Sequence, residues 1–168
     1  ASMSITEERK KKIAFTVKYY NTPAKLVAKK DAGFDGTAAG LDGKRLGVQR
    51  ATTHQCSAEK LYPGAELVLY GTQEEVWQDL AAGRLDAQLS DSLQAYEGFL
   101  ALDAGKDFDF LGDAIDDIEC QGVGAGFAVR KEDSALRDAL SQVILDIRAD
   151  GTYKAMNDQY FAVDIYGN

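Results

Sequence analysis

Three short stretches of the sequence gather side chains suited to holding a small charged molecule. Ser2 to Thr6 leads to Arg9, Gln49 leads to Thr53, and Ser90 to Ser92 frames Asp91. Arg9 carries a planar guanidinium that can meet a carboxylate with two parallel N–H donors. Thr53, at the start of an expected helix, adds a hydroxyl and backbone N–H groups at the positive end of the helix dipole, which suit the same anion. Asp91 has the opposite charge and suits a cation. An anion-binding corner together with a carboxylate is what a zwitterionic α-amino acid requires. Taken singly, each of these residues also reads as a helix cap or a surface charge.

Other chemistries find fewer candidates. His54, the single histidine, would have to serve any His-based triad, and it diverges from Cys56 if both lie on a helix. Cys56 and Cys120 are too few for a disulfide framework or a zinc site. Whether they pair is left open, since that depends on geometry and on an oxidising compartment. Gly122-Val123-Gly124-Ala125-Gly126 has the glycines of a dinucleotide loop, but a strand is expected after it where that fingerprint needs a helix. It reads as a closely packed connection. No metal ligand set, cofactor fingerprint or acid–base pair stands out, so no enzyme and no cofactor are expected.

These residues must be positioned by a chain of 168 residues, 45% hydrophobic, with a net charge of −8. Such a length can bury a sizeable core. The acidic balance argues against nucleic acid as a partner, because that binding relies on Lys and Arg neutralising phosphates. No apolar run approaches the ~20 residues of a membrane span. Ala1 to Glu8 lacks the basic and apolar regions of a signal peptide, so the sequence reads as mature or trimmed.

Thr6 is a good N-cap for a short helix beginning Glu7-Glu8, and Ser4 to Glu7 also fits a capping-box spacing. An extended segment follows, broken by Asn21-Thr22-Pro23, and Asp31 to Gly40 reads as a loop. Strands are expected at 44–49, 66–70, 85–89 and 108–111. Helices fall between them, from Thr52 or Thr53 to about Tyr62, from Thr72 to Gly83, and from the Ser90-Asp91-Ser92 cap onward. This alternation predicts βαβ units and a largely parallel sheet. The end of the chain differs. A strand at 126–130 precedes a helix from Asp133 or Ser134, with Leu136, Leu140, Val143, Ile144 and Ile147 at helical spacing. A last helix is expected to present Tyr153, Met156, Tyr160 and Phe161 as its apolar face.

Ser2-Met3-Ser4-Ile5-Thr6-Glu7-Glu8-Arg9, Lys44-Arg45-Leu46-Gly47-Val48-Gln49, Asp79 to Ala87 and Asp150-Gly151-Thr152-Tyr153 together resemble the polar amino-acid-binding proteins of bacterial ABC importers. The likeness is to the lysine/arginine/ornithine and histidine binders, and it runs the whole length of the chain. The resemblance implies an α/β periplasmic-binding-protein-like lobe with a mostly parallel sheet flanked by helices, plus remnants of a second lobe. The expected divisions are residues 1–19 as a remnant of lobe one, 20–124 as lobe two, and 125–168 as a hinge strand and the C-terminal helices of lobe one. It further implies a periplasmic protein that binds a polar, basic L-amino acid, closes on it by hinge motion, and delivers it to a membrane permease.

Carried over residue by residue, Arg9 matches the family's carboxylate-binding arginine, and Ser4 and Thr53 its hydroxyl partners. Asp91 and Ser2 match contacts to the α-amino group, and Gln49 a position lining the pocket. Family members begin with further strands and helices upstream of the serine motif, so half a binding site is expected here. The alternative is a fragment that self-associates through exposed lobe-one faces as a homo-oligomer and binds no amino acid. Val17 stands where relatives often carry an acid.

Overall fold

The computed structural model describes residues 3–115, 117–161 and 163–167. It divides into two compact units, one of residues 1–22 and 121–168, the other of residues 23–120. They are called the split unit and the inserted unit.

In chain order the split unit begins with β1 (Met3–Ser4), α1 (Glu7–Lys10) and β2 (Ala14–Tyr20). The inserted unit follows with β3 (Ala24–Lys29), β4 (Arg45–Gln49), α2 (Thr53–Leu61), β5 (Glu66–Tyr70), α3 (Gln73–Ala81), β6 (Ala87–Asp91) and α4 (Ser92–Ala95). A π-helical turn over Tyr96–Leu100 continues α4, then come β7 (Phe108–Ile115) and α5 (Ile118–Gln121). The chain returns to the split unit with β8 (Ala125–Val129), α6 (Ser134–Ala149) and α7 (Thr152–Tyr160).

The inserted unit is built on a five-stranded sheet in the order β5-β4-β6-β3-β7. β4 pairs in parallel with β5 and β6, as the strand–helix alternation predicts, whereas β3 runs antiparallel to both β6 and β7. Helices and loops cover both faces, and the sheet carries an apolar cluster on each side. Leu26, Ala28, Leu46, Val48, Ala87 and Leu89 pack with Leu41, Ala58 and Tyr62 on one face. Val27 meets Val76, Leu80, Leu85, Phe99 and Phe108 on the other. Burying a leucine such as Leu46 or Leu89 stabilises by roughly 2–3 kcal/mol each. Gly47 is small because Leu85 leaves no room: a Cβ there would lie 2.3 Å from Leu85 Cδ1. Cys56 and Cys120 are joined in a disulfide with Cα atoms 5.6 Å apart, which resolves the open question of their pairing. Lys60, one helical turn beyond Cys56, adds ion pairs to Asp117 and Glu119 beside Cys120.

The split unit holds a three-stranded antiparallel sheet in the order β1-β8-β2. α6 lies against β2, where Ser141 Oγ accepts the Val17 N–H at 3.3 Å. Only Ile144 of α6 is fully buried, and Leu136, Val143 and Leu145 are exposed. Between β2 and α6 lies an open concavity of about 1040 Å³, lined among others by Ile13, Phe15, Val17 and Arg137.

Two expectations are corrected. β6 runs two residues later than the 85–89 reading, since Leu85 packs under Gly47 as a side chain of the preceding turn. α7 buries Asn157 rather than an apolar stripe, and Met156 and Tyr160 are exposed. The Asn157 amide accepts the Ile165 N–H at 3.1 Å and donates to Val163 O at 2.9 Å, tying down the C-terminal tail. A satisfied buried amide there does work that helical periodicity does not display.

Candidate functional site

The split unit contributes Ser4 and Arg9. β1 pairs Ser4 with Ala125 of β8, so Ser4 is a strand residue and the cap of α1 is Thr6 alone. Thr6 Oγ1 accepts the Arg9 N–H at 3.3 Å, and the Arg9 guanidinium folds back to donate to Ser4 O at 3.0 Å. That leaves most of its donor capacity unused, for it has no carboxylate partner among the described residues. Arg9 is half-buried, and burial lowers its pKa from the ordinary value, while a guanidinium still keeps its charge at neutral pH. A half-buried cation without a counter-ion is destabilising until an anion joins it. Ser2 lies outside the described residues.

The inserted unit contributes Gln49, Thr53 and Asp91, each at the carboxyl end of a strand or the start of the helix after it. In open α/β sheets this is where ligands bind. Gln49 ends β4 and its Nε2 donates to Gly71 O at 3.3 Å. Thr52 caps α2, its Oγ1 accepting the Gln55 N–H at 3.2 Å and donating to Gln49 O at 2.6 Å. Thr53 is therefore the first helical residue, the second of the two starts the sequence allowed. It is only 9% exposed, yet neither its hydroxyl nor its N–H has a hydrogen-bond partner among the described residues.

Ala51, just before the cap, is the one non-glycine residue among the described ones with a positive φ, at 60°. For an L-residue that left-handed geometry costs about 1 kcal/mol or more. The turn is held on several sides, by Arg50 N–H to Tyr70 O at 2.9 Å and by Ala51 N–H to Gln55 Oε1 at 2.7 Å. Sequence reasoning missed Gln55, although Thr52-x-x-Gln55 has the capping-box spacing that points to it. Its side chain reaches one residue further back than that pattern predicts.

Asp91 ends β6 and caps α4, with Oδ1 accepting the Gln94 N–H at 2.9 Å. Its strand neighbour Ala24 and the fully buried Ser90 fix its place on the sheet. No group of three or more His, Cys, Asp and Glu able to hold a metal occurs among the described residues. No helix of the described residues is long and apolar enough to cross a membrane.

The inserted unit is thus an α/β sheet with polar residues at its strand ends, the arrangement in which such folds hold ligands. The profile of the bacterial extracellular solute-binding proteins, family 3, matches residues 1–163, and the chain belongs to that family. An L-arginine-binding protein of Pseudomonas aeruginosa is 46% identical over all of this chain and 66% of its own length. A histidine-binding periplasmic protein of Salmonella typhimurium is 43% identical over 99% of this chain and 65% of its own. Among solved structures, an arginine-specific periplasmic binding protein of Salmonella typhimurium superposes with a TM-score of 0.83 at 27% identity, covering 95% of this chain and 70% of that one. The chain thus spans just under two thirds of the length of these two sequence relatives.

Proposed function

We propose that this chain binds a polar, basic L-amino acid in the periplasm and serves an ABC importer, with a membrane permease as the partner that receives the solute. The observation that carries the reading is the pair of unmatched anion partners, the Arg9 guanidinium and the hydroxyl and N–H of Thr53, a residue only 9% exposed. Both suit the α-carboxylate, with the Ser4 hydroxyl beside them in role. Asp91, and Ser2 with it, would meet the α-ammonium, and Gln49 would line the pocket. The relatives named for arginine and histidine support a basic side chain as the preferred one. None of these roles requires bond making, in keeping with a family of solute-binding proteins.

The test is thermal unfolding of the 168-residue chain with arginine, lysine, ornithine, histidine and glutamine. A ligand at 100 times its Kd stabilises the native state by about 2.7 kcal/mol, which is readily seen. Arginine or another basic amino acid is expected to raise Tm, and Arg9→Ala and Asp91→Ala each to abolish the rise. Absence of any shift in the unaltered chain sinks amino-acid binding by this chain. A normal shift in both variants sinks the residue assignment.

A further inference from the structure

We propose that Ala51 and Gln55 are positioning residues that hold the first turn of α2, and Thr53 on it, in the geometry that accepts a ligand carboxylate. This rests on the reading of Thr53 as a carboxylate partner. Ala51 takes the left-handed conformation at φ 60°, where glycine is the residue without steric cost. The conformation reverses the chain between the end of β4 at Gln49 and the cap at Thr52, so the direction of the Thr53 N–H follows from it. Such strain persists only where the surroundings over-determine it, and it gathers at ligand clamps.

Gln55 supplies that over-determination. Its Oε1 accepts the Ala51 N–H at 2.7 Å, its backbone N–H donates to Thr52 Oγ1 at 3.2 Å, and its Nε2 donates to Glu59 Oε1 at 2.8 Å. One side chain thus links the strained residue to the helix body and consumes a donor that would otherwise compete for the same anion. Thr52 closes the ring by donating to Gln49 O at 2.6 Å. Inside this ring Thr53 alone has both its hydroxyl and its N–H without a partner among the described residues. The arrangement spends its internal hydrogen bonds on residues 49, 51, 52 and 55 and leaves the groups of Thr53 for an incoming acceptor.

The experiment compares Gln55→Leu, Ala51→Val and Ala51→Gly in the 168-residue chain. Two readouts are taken: the Thr53 amide resonance in the ligand-free protein, and the affinity for L-arginine by calorimetry. Gln55→Leu is expected to move the Thr53 resonance and to weaken arginine by about tenfold, while Tm falls only by a few degrees. Ala51→Val, with a β-branched side chain at positive φ, should do the same or more. Ala51→Gly, which fits the conformation without strain, should keep the resonance in place and the affinity within about twofold.

The proposal is overturned if the Thr53 resonance stays in place in Gln55→Leu, or if that variant binds arginine as the unaltered chain does. Should the unaltered chain bind no arginine, amino-acid binding falls, and the ligand-free Thr53 resonance alone decides the positioning role. If Gln55→Leu does not fold, Ala51→Val against Ala51→Gly decides it by the same two readouts. Equal behaviour of those two variants overturns the proposal.

Discussion

The two units differ in how they treat apolar side chains. Among the described residues, eighteen of the twenty-two buried hydrophobics lie in the inserted unit, and four, Ile5, Ala125, Ile144 and Tyr166, lie in the split unit. The exposed large hydrophobics divide the other way, eight in the split unit against four. The inserted unit has a sheet covered on both faces and a disulfide across it. The split unit has three strands, one long helix whose Leu136 and Val143 face water, and a local clasp at its tail. Stability should therefore be concentrated in residues 23–120, while the candidate residues of the split unit, Ser4 and Arg9, rest on local hydrogen bonds.

The largest effect expected is removal of the disulfide. Its two cysteines are 64 residues apart, so a Cys56→Ser, Cys120→Ser double variant should lose about 4 kcal/mol from the inserted unit. Urea unfolding followed through Trp77, the single tryptophan, reports that unit, and an unchanged transition would remove the cross-link from the reasons the units differ. A matched pair of core and surface truncations comes next. Leu46→Ala, at a fully buried position, should cost about 3 kcal/mol. Val143→Ala, 55% exposed, should cost less than about 0.5 kcal/mol. Hydrogen exchange at Val27 and Phe15 reads the two units separately, and equal losses would break the contrast.

The smallest effect concerns pH. The hydrogen bonds from the Arg45 guanidinium hold the Asp86 carboxyl below its ordinary pKa, against the opposing pull of burial. A depressed carboxylate adds stability above its unfolded value, near pH 4, and that stability is lost as pH falls through the lower folded value. Asp86→Asn should thus lower stability at neutral pH and flatten its decline below about pH 4. An acid titration in which both proteins lose stability in parallel would show that this pair contributes nothing to the inserted unit.

Much of the inserted unit was legible because its elements are short, regular and separately punctuated. Thr72 with Glu75 forms the capping box that its spacing announces, and Pro63-Gly64 follows the end of α2. The direction of β3 was not legible, since Lys25 to Ala28 reads as extended whichever way it runs, and only pairing with β6 and β7 sets it. The buried Asn157 escaped notice because periodicity counts apolar residues, whereas this amide is buried for its hydrogen bonds. At the candidate site, the residue types of Arg9, Thr53 and Asp91 were readable from the sequence. The left-handed Ala51 was not, because nothing about an alanine marks positive φ.

The inserted unit is a single stretch of chain whose two ends pair with each other, Ala24 opposite Ile115. For the split unit that stretch is one long connection between two neighbouring strands, since Tyr20 pairs with Ala125. Left unfolded, this connection would have to be closed as a loop of about a hundred residues. Once β3 and β7 have met, the same closure spans only the few residues on either side, and by the logarithmic law it becomes easier by about 2 kcal/mol. The order of assembly follows: pulse-labelled hydrogen exchange should protect Val27 before Phe15. The weaker unit would then inherit its registration from the stronger one, as a seam is held closed by the knot tied first.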